Sequence, residues 1–304
     1  MRQLKLICLL ALSLALASCE KVSLDELLSK EPPTSQPSSD GNANLSIHIG
    51  GIADANYKDA AAKGTRAIEP IGKVCTKLTI SIYNVEGQRV YSANKKSTDA
   101  DFANATMKLA EGKYHLVIVA HSNEKNATTK DINKITFEGN KLSDTFHYYK
   151  EIELVAGSNN IDVVMERVTA MFRLEMADQI PENVKQLKFY YTGGSSTLSG
   201  YTGAGSVNSR QTEIRNIQAG VNTYEVYTFP QSDDKKLNMT ITALNASGET
   251  VCTKTFEDVA VSKNMITRYK GNLFTNIAPP TASDNYNFSI SVNTDWKGEN
   301  VIEF

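Results

Sequence analysis

The sequence has 304 residues, 41% of them hydrophobic and 22% charged, and its 32 basic against 34 acidic side chains leave a net charge of -2. That balance offers no basic field to neutralise nucleic-acid phosphates, so nucleic acid is excluded as a partner. Less an export signal, the length suits two folding units of about 100 to 150 residues, each able to bury a core.

The chain opens with Arg2 and Lys5, an apolar run from Leu6 to Leu16, and the small residues Ala17 and Ser18 before Cys19. This is the three-part pattern of an export signal. The apolar run is shorter than the roughly 20 residues that a membrane-spanning helix needs. The ending Leu16-Ala17-Ser18-Cys19 resembles a bacterial lipoprotein signal, which implies removal of residues 1–18 and acylation of Cys19, with two or more fatty chains as a firm anchor. Residues 19–43 run into Glu31-Pro32-Pro33-Thr34-Ser35-Gln36-Pro37-Ser38-Ser39. Such a Pro/Ser-rich stretch buries too little apolar surface to fold alone and reads as a spacer.

The folded part begins where Leu45, Ile47 and Ile49 alternate with Ser46, His48 and Gly50, the period-two signature of a half-buried strand. A short helix or a loop is expected over Asp54 to Lys63. Leu78, Ile80 and Ile82 alternate next, and Asn84-Val85-Glu86-Gly87 turns the chain into Arg89-Val90-Tyr91 as a hairpin. After Glu111-Gly112, Leu116 and Ile118 lie on one face with Val117 and Val119 on the other, as in a central strand covered on both sides. Further strands are read at Tyr148 to Leu154, Ile161 to Val164, Met171 to Met176, Lys185 to Tyr191, Tyr224 to Phe229, Leu237 to Ala243, Val251 to Phe256 and Phe288 to Val292. Many short strands with scarce helical periodicity make the chain all-β and sandwich-like. The break is placed near residue 158, giving units 44–158 and 159–304.

Side chains with catalytic or metal-binding spacing are missing from the sequence. The histidines are His48, His115, His121 and His147, with no His-Glu-x-x-His or Cys-x-x-Cys pattern. Cys8 leaves with the signal and Cys19 is taken by lipid, so Cys75 and Cys252 remain and are read as separate thiols packed within strands. No Gly-x-Ser-x-Gly elbow occurs. The Gly-rich stretch from Thr192 to Ser206 opens no helix and reads as a flexible loop, and Asp99-Ala100-Asp101 reads as a solvated turn. No enzymatic activity and no cofactor are expected.

Several segments together resemble the fimbrillin superfamily of Bacteroidetes fimbrial proteins. They are the lipobox, the strand Leu45 to Ile49 followed by Gly64-Thr65-Arg66-Ala67, and Glu111-Gly112-Lys113-Tyr114-His115-Leu116-Val117. Then come Met165-Glu166-Arg167-Val168-Thr169-Ala170, Val261-Ser262-Lys263-Asn264 through Thr267 to Gly271-Asn272-Leu273-Phe274, and Phe288 to Trp296. The resemblance implies two tandem transthyretin-like β-sandwich domains, no cofactor or metal, and assembly with other fimbrial subunits by β-strand insertion. It implies export to the outer membrane through the lipid and incorporation into a cell-surface fimbrium. In related shaft subunits an Arg-specific protease cuts downstream of the first strand, and Arg66-Ala67 stands in the matching place. Phe288, Ile290 and Val292, with Trp296 beyond, are the candidate donor strand. The alternatives are a fimbrial anchor that keeps its lipid, and a surface lipoprotein that binds glycans through Tyr148, Tyr149, Tyr190 and Tyr191.

Overall fold

The computed structural model describes residues 43–53, 68–232, 234–275, 290–291 and 298–304. The chain is all-β and sandwich-like, built from stacked sheets joined by turns. Its first part comprises β1 (Ala43–Ala53), β2 (Ile68–Glu69), a single helical turn α1 (Ile71–Val74), β3 (Lys77–Asn84), β4 (Arg89–Lys96), β5 (Asn104–Leu109), β6 (Gly112–His121), β7 (Thr128–Asp131), β8 (Lys134–Thr136), β9 (Thr145–Leu154) and β10 (Gly157–Arg167). In one layer β1 has β10 on one side and β5 and β2 on the other; in the facing layer β9, β6, β3 and β4 pair in that order. At Glu166 and Arg167 the end of β10 crosses to Phe146 and His147 of β9, which joins the layers into one eight-stranded sheet.

The sandwich follows from alternation. Leu45, Ile47 and Ile49 of β1, Leu78, Ile80 and Ile82 of β3, and Leu116 and Ile118 of β6 all point inward and form the first core with Met107, Phe146 and Met165. The expected hairpin is β3 with β4, turned at Asn84 to Gly87. β10 is longer than the Ile161 to Val164 stretch read from the sequence, and its Val163 and Met165 belong to the first core.

A second core lies between two further sheets. They are made from β11 (Ala170–Met176), β12 (Val184–Gly194), β13 (Ser209–Asn216), β14 (Thr223–Thr228), β15 (Lys236–Asn245), β16 (Thr250–Ala260), β17 (Met265–Gly271), β18 (Ile290–Ser291) and β19 (Gly298–Glu303). One sheet has the order β14-β11-β17-β19-β18 and the other β13-β12-β15-β16. Phe172, Leu174, Leu187, Phe189, Ile241 and Phe256 are among the side chains buried between them.

A third apolar cluster covers the outward face of β3 and β6. Tyr83, Val117 and Val119 meet Ile132, Ile135 and Phe137 around the β7–β8 hairpin, together with Leu198 and Phe229. This is why β6 is apolar on both faces. It also corrects the reading of the Gly-rich stretch as a flexible loop: Leu198 pairs with Ile135, and Ser195, Ser196 and Thr197 are buried and hydrogen-bonded. An apolar Leu inside a glycine-rich run gave that segment a surface to pack on.

Candidate functional site

β1 is the strand on which its layer depends. It runs parallel to β10, from Ala43 opposite Gly157 to Ile52 opposite Met165, and antiparallel to β5, from Ala43 opposite Leu109 to His48 opposite Asn104. Among the described residues β5 and β2 pair with no other strand, and β10 pairs elsewhere only at its last two residues. Along Ala43 to His48 both edges of β1 are occupied, so its removal would open two rows of backbone donors and acceptors at once.

Its side chains divide cleanly by face. Leu45, Ile47, Ile49 and Ile52 are 0 to 2% exposed, while Asn44, His48 and Gly50 face solvent. At ~1.5 to 3 kcal/mol for each fully buried large side chain, those four contribute on the order of 6 to 12 kcal/mol. That is comparable with the whole stability of an ordinary domain, about 5 to 15 kcal/mol. Outside the core, His48 Nδ1 lies 2.8 Å from Asn104 Oδ1. The register shifts between Ile49 and Gly51, where φ is +154° and a Cβ would fall 2.3 Å from the Glu69 carbonyl oxygen. Only glycine lets β2 approach there.

Cys19, Arg66, Ala67, Phe288, Val292 and Trp296 lie outside the described residues, as does Asp54 to Lys63. Ile290 opens β18 and pairs with Asn300 of β19. β19 itself was missed as a strand; the signal for it was the apolar Val301-Ile302 and Phe304. Cys75 and Cys252 are free thiols, the first buried in the first core and the second half-buried beside the second. Burial pushes the Cys75 thiol well above its usual range. Among the described residues no group of three or more His, Cys, Asp or Glu is placed to hold a metal ion.

The four tyrosines considered for glycan contact have separate duties. Tyr148 packs against the first core and Tyr191 is 1% exposed within the second. Tyr149 stacks on His115 and receives the edge of Tyr201, which leaves Tyr190 at 38% exposure. His121 and His147 are buried, and burial pulls both down to about 4. The His147 Nε2 lies 2.8 Å from the Gly200 carbonyl oxygen, placing a donated proton on that nitrogen.

Residues 36–303 match the model of a family described as a family of unknown function, DUF6562. No curated protein matches the chain. Among solved structures, the chain is similar to a candidate adhesin from Bacteroides ovatus at 10% identity and a TM-score of 0.48, with 72% of this chain and 80% of that one covered. It is similar to the fimbrial anchor protein Mfa2 from Porphyromonas gingivalis at 9% identity and a TM-score of 0.42, covering 71% and 82%. A fimbrial assembly protein from Parabacteroides distasonis is similar at 14% identity and a TM-score of 0.39, covering 76% and 90%.

Proposed function

The chain belongs to DUF6562, a family of unknown function, and from that premise and the seat of β1 we propose that it is a structural subunit, shaft or tip, of a cell-surface fimbrium. In this reading it is exported as a lipoprotein acylated at Cys19, carried to the outer membrane, cut after Arg66, and joined to neighbouring subunits by strand insertion. The contribution to the cell is adhesion through the assembled fibre.

The observation that carries the proposal is the position of β1. It is a central strand, yet the only chain joining it to the rest of the fold is the segment between Ala53 and Ile68, which contains Arg66. A cut there would leave β1 held by non-covalent contacts alone. Its departure would expose a groove whose edges are β5 and β10 and whose floor is the first core. Because β5 and β2 have no other partner among the described residues, the groove needs refilling, and an apolar strand from a neighbour supplies the same hydrogen bonds and burial. Phe288, Ile290 and Val292 have the i, i+2, i+4 spacing that Leu45, Ile47 and Ile49 present to that floor.

Mass spectrometry of the protein recovered from assembled surface fibres tests this. An N-terminus at Ala67 is expected, whereas acylated Cys19 in the fibre would overturn cleavage and favour an anchor that keeps its lipid. Arg66→Ala is expected to block polymerisation with the monomer's melting temperature unchanged; normal fibres from that variant would sink the proposal.

A further inference from the structure

β19 is held mainly from one side. It lies parallel to β17, from Met265 opposite Gly298 to Lys270 opposite Glu303, and among the described residues its other side meets only the two-residue β18. Val301, Ile302 and Phe304 are half-buried, whereas Ile266 and Thr267 of β17 are at most 1% exposed.

The hold on β19 is concentrated at Phe304. Its N–H donates to the Lys270 carbonyl at 3.0 Å. Its ring meets Phe256 edge-on with centroids 4.9 Å apart and lies 6.4 Å from Tyr269. The Lys254 ammonium sits 4.2 Å from the ring centroid, within cation–π range. Gly271 completes the socket, since a Cβ there would fall 2.0 Å from a backbone oxygen of Phe304. Where the chain leaves β17, Asp178 accepts the N–H groups of Leu273, Phe274 and Thr275 at 3.0, 2.6 and 2.9 Å. The exit of β17 is therefore fixed independently of β19.

The geometry points to a second strand-accepting site: the edge of β17 away from β11, with a socket of Phe256, Tyr269, Lys254 and Gly271, takes a strand of pattern Val-Ile-x-Phe, and here it holds the chain's own residues 298–304. The seat has the two elements of strand recognition, a row of β17 backbone groups for affinity, paired here by β19, and a side-chain pocket for selectivity. While β19 is seated, its pairing with β18 keeps Ile290 and Ser291 at the sheet edge. That this withholds a donor segment until β19 leaves rests on the assembly reading above; the seat itself does not.

Hydrogen exchange on the full chain tests it. In Phe304→Ala and in Gly271→Val, the amides of Glu299 to Glu303 are expected to exchange on the order of 10- to 100-fold faster, with those of β15 unchanged. A synthetic peptide of residues 298–304 should bind the Phe304→Ala chain, and the same peptide with Ala in place of its Phe should not. Unchanged exchange of β19 in both variants overturns the site. So does equal acceleration in β15, which would make β19 an integral part of the core. After treatment with an Arg-specific protease, faster polymerisation of Phe304→Ala than of the wild type supports both proposals. If β19 loosens and neither chain polymerises, the assembly reading fails and the seat stands.

Discussion

Arg167 is the residue on which the junction between the two cores turns. Its side chain, 4% exposed, donates from Nε to both Asp144 oxygens at 2.9 and 3.0 Å and from Nη1 to Asn264 Oδ1 at 3.0 Å, with the Phe146 ring 4.9 Å away. Removing Asp144, itself 25% exposed, leaves the buried Arg167 charge without its carboxylate, so Asp144→Ala is expected to cost about 3 kcal/mol in urea unfolding. His121 and His147 set a pH dependence. Burial pulls both from 6.5 to about 4, with Lys77 acting in the same direction on His121; at His147 the Gly200 carbonyl opposes the shift and Lys263 adds to it. Between those values the unfolded chain takes up protons that the folded chain refuses. Stability is therefore full above pH 6.5 and declines as pH falls toward 4, by on the order of 3 kcal/mol for each histidine. Equilibrium unfolding at pH 7 and pH 4.5 checks this, and His147→Gln should flatten the slope by one group's share. None of this was legible in the sequence, where His147 and Arg167 are single polar residues whose partners lie far along the chain.

At the scale of elements, strands with a regular residue pattern were the legible ones. β1 and β3 stood out because apolar and polar residues alternate from Leu45 to Gly50 and from Leu78 to Ile82, β6 stood out as an apolar run buried on both faces, and the β3–β4 turn carries its own Asn-x-x-Gly chemistry. β10 was harder to bound because it begins with Gly157-Ser158-Asn159-Asn160, polar residues that pair with β1 through their backbone. β19 escaped because a strand this short, Gly298–Glu303, has little periodicity to show. Burial rather than strand membership should decide mutational cost. Ile47→Ala in β1 is expected to lose about 2 to 5 kcal/mol, while Ile214→Ala in β13, at 48% exposure, should stay within about 0.5 kcal/mol. Denaturant midpoints of the two variants make the comparison.

Across the whole molecule, the all-β class was foreseeable, and the third cluster was not. The double-faced β6 was its one trace, since Val117 and Val119 needed a cover that the sequence did not identify. That cover comes from the β7–β8 hairpin and from Leu198 and Phe229, well over a hundred residues downstream of Tyr83. Phe229 is fully buried, with its ring 5.5 Å from Phe137. The wild type is expected to unfold in a single calorimetric transition, and Phe229→Ala, losing about 3 to 5 kcal/mol of packing, should split it in two. A single unshifted transition in the variant would mean that the cores are coupled elsewhere.

The mixed pairing of β1 carries a last consequence. A strand with a parallel neighbour on one side and an antiparallel neighbour on the other occupies a seat with no two-fold axis, so the surface it would vacate is not complementary to itself. Any contact between copies made through that seat is heterologous, with one molecule giving and the next receiving. Such contacts have a head and a tail, and unless the rotation between copies closes a ring they repeat without limit. The direction of growth would then be written into the orientation of eleven residues, Ala43–Ala53.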